Sequence, residues 1–233
     1  MKKEHFFLYG IIVTILFAFP FVSFASIVIN GTRIIYPSDA KEVTIKLNNT
    51  GSSPVLIQSW VDAGDINAKP ESINTPFVLT PPINRVEPDR GQTLRLRYMS
   101  ENFPKDKESI YWLNVLEIPA KKTLAGNENY IKMAFRTRIK IFFRPTNLTG
   151  HANDAAKELI WSSVSGGLKA TNPTPYYISL VEIKINGKTV EADMVPPKSS
   201  ILIKGVKASS GNLLESEFVN DYGALDVIKS TVK

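Results

Sequence analysis

Residues 130–143, YIKMAFRTRIKIFF, predict a long β-strand. Ile131, Met133 and Phe135 alternate with other residues, so in an extended chain their side chains share one face. Cations follow them, and Lys140 is the last of these before the apolar end of the strand. Such a pattern has two interpretations. The apolar face can pack into the core of its own domain, which is the commoner case, or the strand can be lent to another protein.

Further strand patterns precede this stretch. Residues 43–47 alternate between apolar and polar, residues 55–61 are rich in apolar side chains, and residues 110–118 (IYWLNVLEI) form a strong strand pattern ended by Pro119. About seven short strands with turn residues between them are typical of an immunoglobulin-like β-sandwich. We place this first domain at residues 26–147.

A second, smaller unit follows a hinge-like segment at residues 145–150 (PTNLTG). Asn186 and Gly187 stand between two apolar-rich runs, which predicts a two-residue β-hairpin. Only residues 154–161 have a helical composition, enough for one or two turns. Residues 148–233 are therefore predicted to form another sandwich, and the fold class is all-β.

Residues 1–25 have the composition of a secretory signal peptide. Two lysines near the start precede the almost continuous apolar run 6–22, and residues 23–25 (SFA) have small side chains at the positions that decide cleavage. An uncleaved membrane anchor is the alternative, but Pro20 and the small residues favour cleavage. The mature chain is then predicted to begin at Ser26, in an exported protein.

The residue content argues against an enzyme. The chain has no cysteine, which excludes disulfides and thiolate chemistry, and His151 is the only histidine after residue 25. No Gly-x-Ser-x-Gly, phosphate-loop or EF-hand pattern occurs. We therefore predict no enzymatic activity, no cofactor and no metal site. The net charge of +6 is dispersed, so neither nucleic acid binding nor membrane insertion of the mature chain is expected.

Five sequence blocks, in order along the chain, point to one family. The most specific block is residues 103–119, FPKDKESIYWLNVLEIP. The others are residues 81–92, 139–145, 172–176 and 220–224. With these blocks the chain resembles the periplasmic pilus-assembly chaperones of the chaperone–usher pathway over nearly the whole mature length. The cysteine pair of the long-loop class is absent, so the resemblance is to the class with a short F1–G1 loop.

The resemblance implies both a fold and a function. The fold is two immunoglobulin-like β-sandwich domains set at an angle, with a cleft between them. In the periplasm, the chaperone binds pilus or fimbrial subunits, lends each a strand by donor-strand complementation, and delivers it to an outer-membrane usher. The lent strand supplies the hydrogen bonds and core side chains that the subunit lacks. An unoccupied donor strand is an exposed apolar edge, so we also expect weak self-association.

The resemblance also assigns roles to individual residues. Ile131, Met133 and Phe135 match the donor positions that fill the groove of the subunit. Arg33 and Lys140 match two cleft cations that anchor the C-terminal carboxylate of the subunit. Arginine offers a planar fork and lysine a compact charge, which together suit one carboxylate.

Three further charges, Glu108, Arg144 and Asp221, match an interdomain salt-bridge network of the family. The alternative is that they form ordinary surface pairs, which contribute little to stability. Two other functions are open at this point. One is a secreted immunoglobulin-like structural or adhesive protein, such as a pilus subunit. The other is a periplasmic binding protein, although such proteins usually contain many helices.

Overall fold

The computed structural model describes residues 26–120 and 133–233, and nearly all of its regular structure is β. These ranges contain sixteen strands and two short 3-10 helices, Pro70–Ser72 and Ala152–Glu158. The strands in chain order are β1 (Ile27–Ile29), β2 (Arg33–Pro37), β3 (Val43–Asn49), β4 (Val55–Asp62), β5 (Phe77–Thr80), β6 (Ile83–Val86), β7 (Gly91–Tyr98), β8 (Ser109–Pro119), β9 (Phe135–Arg144), β10 (Ile160–Val164), β11 (Gly167–Asn172), β12 (Leu180–Ile185), β13 (Lys188–Glu191), β14 (Ser199–Lys204), β15 (Leu213–Val219) and β16 (Leu225–Thr231). The first nine build one sandwich and the rest a second, so the predicted all-β, two-domain fold is confirmed.

The first sandwich consists of a four-stranded sheet in the order β1-β3-β7-β5 and a five-stranded sheet in the order β2-β9-β8-β4-β6. Paired strands are antiparallel except β2 and β9, which run parallel. The parallel ladder begins with Arg33 opposite Lys140, well after the start of β9. This places two cations next to each other at the end of the domain where the second sandwich follows.

Alternation along each strand determines which side chains are buried. In β3, Ile45 and Leu47 lie in the core while Lys46 between them is exposed. Between the two sheets, Tyr98 stacks on Phe143 with 4.1 Å between ring centroids. Burial of such rings and of aliphatic side chains stabilises a chain that contains no disulfide.

The second sandwich pairs a sheet in the order β10-β11-β14 with a sheet in the order β13-β12-β15-β16. It has its own hydrophobic core, in which Trp161 and Ile183 are fully buried. Asn186 and Gly187 connect β12 to β13 with positive φ angles of 50° and 73°. These are the backbone angles that a tight hairpin turn requires, so the predicted hairpin is confirmed.

The predicted domain boundary at residue 147 falls between β9 and the 3-10 helix Ala152–Glu158. The limits of 26–147 and 148–233 stay predictions. Among residues 26–120 and 133–233, no helix has both the length and the apolar character needed to cross a membrane.

Gly167→Ala is expected to destabilise the second sandwich. Gly167 begins β11 beside β14, and a Cβ atom there would overlap the carbonyl oxygen of Ile203. Because that oxygen belongs to the backbone, the strands would have to separate. We expect the free energy of unfolding to fall by about 1–3 kcal/mol in a urea titration. Lys169→Ala, at an exposed position of the same strand, is the control, and an unchanged midpoint for both variants would contradict the prediction.

Candidate functional site

The odd-numbered residues of β9, which are apolar except for Thr137, form a face that continues beyond the core of the first sandwich. Phe143 and Ile141 are buried, and Ile139 is half-buried against the same core. Toward the start of the strand the series reaches Phe135, which is 56% exposed, and Met133 just before it, which is 59% exposed. Apolar surface gains free energy when it leaves water. The apolar side chains at this end of the face are not buried by the domain itself, so a partner that covered them would gain free energy.

The backbone of the same segment also has a free edge. β8 pairs with β9 from Phe135 onward, whereas β2 pairs with it only from Lys140 onward. From Phe135 to Ile139, β9 thus has a neighbour on one side only, within the part of the chain that the structure describes. An unpaired edge can accept a strand from another chain. Ile131, the third predicted donor residue, lies outside the described residues.

The structure brings the two predicted anchor residues together. Arg33 and Lys140 are direct partners in the parallel ladder of β2 and β9. The Arg33 side chain reaches the second sandwich, where Nη1 donates to the carbonyl oxygen of Val219 at 2.7 Å and to Oγ of Ser179 at 3.3 Å. The side chain of Lys140 is half-buried and has no hydrogen bond or ion pair with residues 26–120 or 133–233.

Burial makes both cations favourable partners for an anion. Burial lowers the pKa of Lys140, and the charge of Arg33 lowers it further, against a smaller opposite effect of Asp193. Burial also lowers the pKa of Arg33, while Asp221 raises it. The Nε of Arg33 is buried and has no hydrogen-bond partner in the described ranges. An anion between the two side chains would offset their desolvation and their mutual repulsion.

The structure also brings together the three charges predicted to connect the domains. Nε of Arg144 lies 2.5 Å from Oε1 of Glu108, and its Nη1 and Nη2 donate to the two carboxylate oxygens of Asp221 at 2.7 and 2.9 Å. The other oxygen of Glu108 accepts a hydrogen bond from the backbone N–H of Tyr177 at 2.7 Å. The guanidinium of Arg144 also lies 5.4 Å from the ring centroid of Tyr176.

The electrostatics of this network follow from its burial. Burial raises the pKa of Glu108, an effect that outweighs the lowering by Arg144 and by the Tyr177 N–H. Burial lowers the pKa of Arg144, but hydrogen bonds and charge from Asp221 and Glu108 raise it more, so the guanidinium stays ionised. Because desolvation offsets much of the attraction in such a cluster, we interpret it as fixing the orientation of the two sandwiches.

A further ion pair beside Lys140 was not predicted from the sequence. Asp62 accepts hydrogen bonds from Arg138 at 3.1 Å and from Asn114 at 2.7 Å. Burial raises the pKa of Asp62, but these bonds lower it more, and the net shift is downward. The guanidinium of Arg138 lies 4.6 Å from the ring centroid of Trp112, which pairs with Lys140. No short motif connects Asp62 with Arg138, so only the folded sheet brings them together.

Glu108→Gln is expected to loosen the contact between the sandwiches. Glutamine can still accept the hydrogen bond from Tyr177 but loses the charge that faces Arg144. We expect the free energy of unfolding to fall by about 1.5–3 kcal/mol in urea, and small-angle X-ray scattering to show a wider spread of domain orientations. Lys198→Ala is the control, because it breaks an exposed interdomain pair with Asp106 that contributes little. Equal effects of the two variants would contradict the orienting role.

Comparison with known proteins agrees with this geometry. Residues 26–149 match the family described as "Pili and flagellar-assembly chaperone, PapD N-terminal domain", and residues 154–229 match "Pili assembly chaperone PapD, C-terminal domain". The chain belongs to the PapD family of pilus-assembly chaperones. The resemblance noted in the sequence is thereby confirmed, and the chain is a chaperone of pilus assembly.

Relatives of the PapD family match this chain over most of its length. The probable fimbrial chaperone YadV of Escherichia coli (strain K12) is 44% identical over 221 residues, which are 88% of this chain and 89% of YadV. The crystal structure of the CupB2 chaperone of Pseudomonas aeruginosa has a TM-score of 0.77 at 33% identity and covers 88% of this chain and 100% of its own. The Salmonella enterica SafA pilin in complex with the SafB chaperone gives a TM-score of 0.78 at 25% identity, covering 90% and 98%.

Proposed function

We propose that this protein is a periplasmic chaperone that binds, folds and caps pilus or fimbrial subunits and delivers them to an outer-membrane usher. The observation that carries the proposal is the first half of β9, where an exposed apolar face and a free backbone edge are followed along the strand by the two adjacent cations Arg33 and Lys140. The SafB chaperone is similar to this chain and is known in complex with the SafA pilin. We extend that kind of partner to this chain.

Donor-strand complementation uses the apolar face and the free edge of β9. Phe135 and Met133, with Ile131 before them, would enter the groove that an incomplete subunit leaves open. Each fully buried side chain of this size contributes roughly 1.5–3 kcal/mol, before the costs of ordering. The edge from Phe135 to Ile139 would supply hydrogen bonds to a strand of the subunit.

The carboxylate anchor uses the two cations. A subunit's C-terminal carboxylate between Arg33 and Lys140 would gain two charge-assisted partners. The anchor would also determine register, because a shift of one residue would turn Phe135 away from the groove. In this mechanism the anchor aligns the subunit and the donor face supplies most of the buried area.

The remaining parts of the proposal concern export and chemistry. Residues 1–25 would act as a cleaved signal peptide, and 26–147 and 148–233 would be the two domains. The chaperone would act without catalysis and without a cofactor, so the folding free energy of the subunit would drive its transfer to the usher. Without a subunit, the exposed end of β9 would allow weak self-association.

Subunit binding is expected to weaken at alkaline pH. The weakening should begin at a lower pH than it would if the anchoring lysine were fully solvated. Burial lowers the pKa of Lys140, so its ammonium loses its proton earlier as the pH rises. A bound carboxylate favours the charged form, hence affinity is full below this pKa and falls as the pH passes it. Titrations from pH 7 to 10 measure the effect. A Lys140→Arg chaperone, whose guanidinium stays ionised over this range, should lack it, and an equal loss in both proteins would contradict the assignment.

Co-expression in a periplasm with the neighbouring pilin genes tests the whole proposal. We expect a one-to-one complex with a subunit to be recovered from wild type and to be lost in Lys140→Ala. A stable wild-type protein that never carries a subunit would instead support a structural or adhesive immunoglobulin-like protein.

A further inference from the structure

Glu117 contacts the residues at which the mature chain is predicted to begin. The hydroxyl of Ser26 donates a hydrogen bond to Oε1 of Glu117, and the backbone N–H of Ile27 donates to Oε2 at 3.1 Å. Glu117 lies on β8 in one sheet of the first sandwich, whereas Ile27 begins β1 in the other. One carboxylate therefore connects the two sheets through the first residues after the leader.

Within the part of the chain that the structure describes, the Glu117 carboxylate has no ionic partner. Glu117 is half-buried, and it forms no salt bridge with a lysine or arginine among residues 26–120 and 133–233. Its two hydrogen-bond donors, the Ser26 hydroxyl and the Ile27 N–H, are both neutral. A partly buried carboxylate is stabilised far more when a cation completes its surroundings. The backbone nitrogen of Ser26, which becomes a cation when the chain begins there, is separated from each of the two donor atoms only by Cα and one further atom.

Glu117 lies on the strand next to the proposed donor strand. On β8, Leu113 and Val115 point into the core, and Glu117 continues their face to the open end of the sandwich. Glu117 is also the direct partner of Phe135 in the pairing of β8 with β9. The first residues of the mature chain thus lie at the end of the sandwich from which the exposed apolar face emerges.

We propose that Glu117 is the binding site for the α-ammonium group that leader removal creates on Ser26. The proposal rests on the proposed cleavage after Ala25. Hydrolysis of that peptide bond places the hydroxyl of water on the Ala25 carboxyl and a hydrogen on the Ser26 nitrogen, which takes up a proton at neutral pH. The new ammonium group pairs with Glu117 and holds β1 against the other sheet.

A chain that retains its leader differs at this contact. Its Ser26 nitrogen is an uncharged amide, so among the described residues Glu117 keeps only neutral partners. Leader removal therefore completes the ion pair.

A double-mutant cycle on the mature chain tests the ion pair without using subunit binding. One form starts at Ser26 after scarless removal of a fusion tag, and the other carries a Gly-Ser-Gly extension that moves the ammonium group away. Both forms are made with Glu117 and with Glu117→Gln. We expect the extension to lower Tm by about 2–4 °C in the wild type and by much less in Glu117→Gln. Glu101→Gln, at an exposed glutamate, should behave like wild type.

The outcomes separate this proposal from the chaperone function. An extension that lowers Tm equally in the wild type and in Glu117→Gln, or in neither, would overturn the ion pair. If Glu117→Gln does not fold, acetylation of the α-amino group of Ser26 in the wild type is measured instead. A Tm that this acetylation leaves unchanged would also overturn the ion pair. N-terminal sequencing of the exported protein should give Ser26. A different first residue would remove the proposed ammonium group while leaving subunit capture untouched.

Discussion

Replacing Lys140 by alanine is expected to abolish stable capture of a pilus subunit while the chaperone stays folded. The half-buried side chain of Lys140 has no hydrogen bond or ion pair with residues 26–120 or 133–233, so its truncation breaks neither kind of contact in the free protein. In the complex, truncating a buried anchor of this kind typically costs about 2–5 kcal/mol, which corresponds to a loss of at least about 30-fold in affinity. The free energy of unfolding in urea should be unchanged or slightly higher, because the cost of partly burying an unpaired ammonium group is removed.

Arg33→Ala should weaken capture to a similar extent but with an additional effect. Arg33 donates hydrogen bonds to Val219 and Ser179, so its loss also removes contacts between the sandwiches. Lys140→Ala is therefore the cleaner test of the anchor. Lys157→Ala removes an exposed lysine of the second sandwich and is the matched control. A Lys140→Ala protein that protects refolding subunits as well as wild type does would show that the carboxylate is held elsewhere.

The alternation in residues 130–143 was sufficient to predict a strand, but not where its apolar face becomes exposed. Ile139, Ile141 and Phe143 lie in phase with Phe135, with only Thr137 between them in the odd-numbered series. The difference between them arises from the opposite sheet and from β2, which reaches β9 only from Lys140. Burial of this kind depends on contacts between distant segments, which a local pattern does not contain.

The charged residues show the same limit. Resemblance to the family identified Lys140 and the cluster around Arg144 because those positions lie in recognisable blocks, and it identified Arg33 as the match of a cleft cation outside the blocks. Asp62, which pairs with Arg138, is 76 residues away from it in the chain. Glu117 lies within a recognised block, yet nothing in that block indicates that it contacts Ser26. Pairs of this type become visible only when the register of the sheets is known.

Phe135→Asp is expected to eliminate capture by a different route, through the donor face. Phe135 is 56% exposed in the free chaperone, so the substitution should alter the free energy of unfolding by only about 0.5 kcal/mol. In the complex it removes roughly 1.5–3 kcal/mol of apolar burial and places a carboxylate in an apolar groove, which costs several kcal/mol more. Size-exclusion chromatography of chaperone with refolding subunit should then show no complex.

The neighbouring residue supplies the control that decides which face of β9 is used. Arg136→Asp introduces the same side chain one position along the strand, where it points to the opposite face of the sheet. If the odd-numbered face enters the subunit, Arg136→Asp should retain most of its capture and Phe135→Asp none. The reverse result would assign the donor role to the face that carries Arg138 and Lys140. Capture by both variants would mean that neither face of β9 is buried in the subunit, because an aspartate on the buried face would prevent binding.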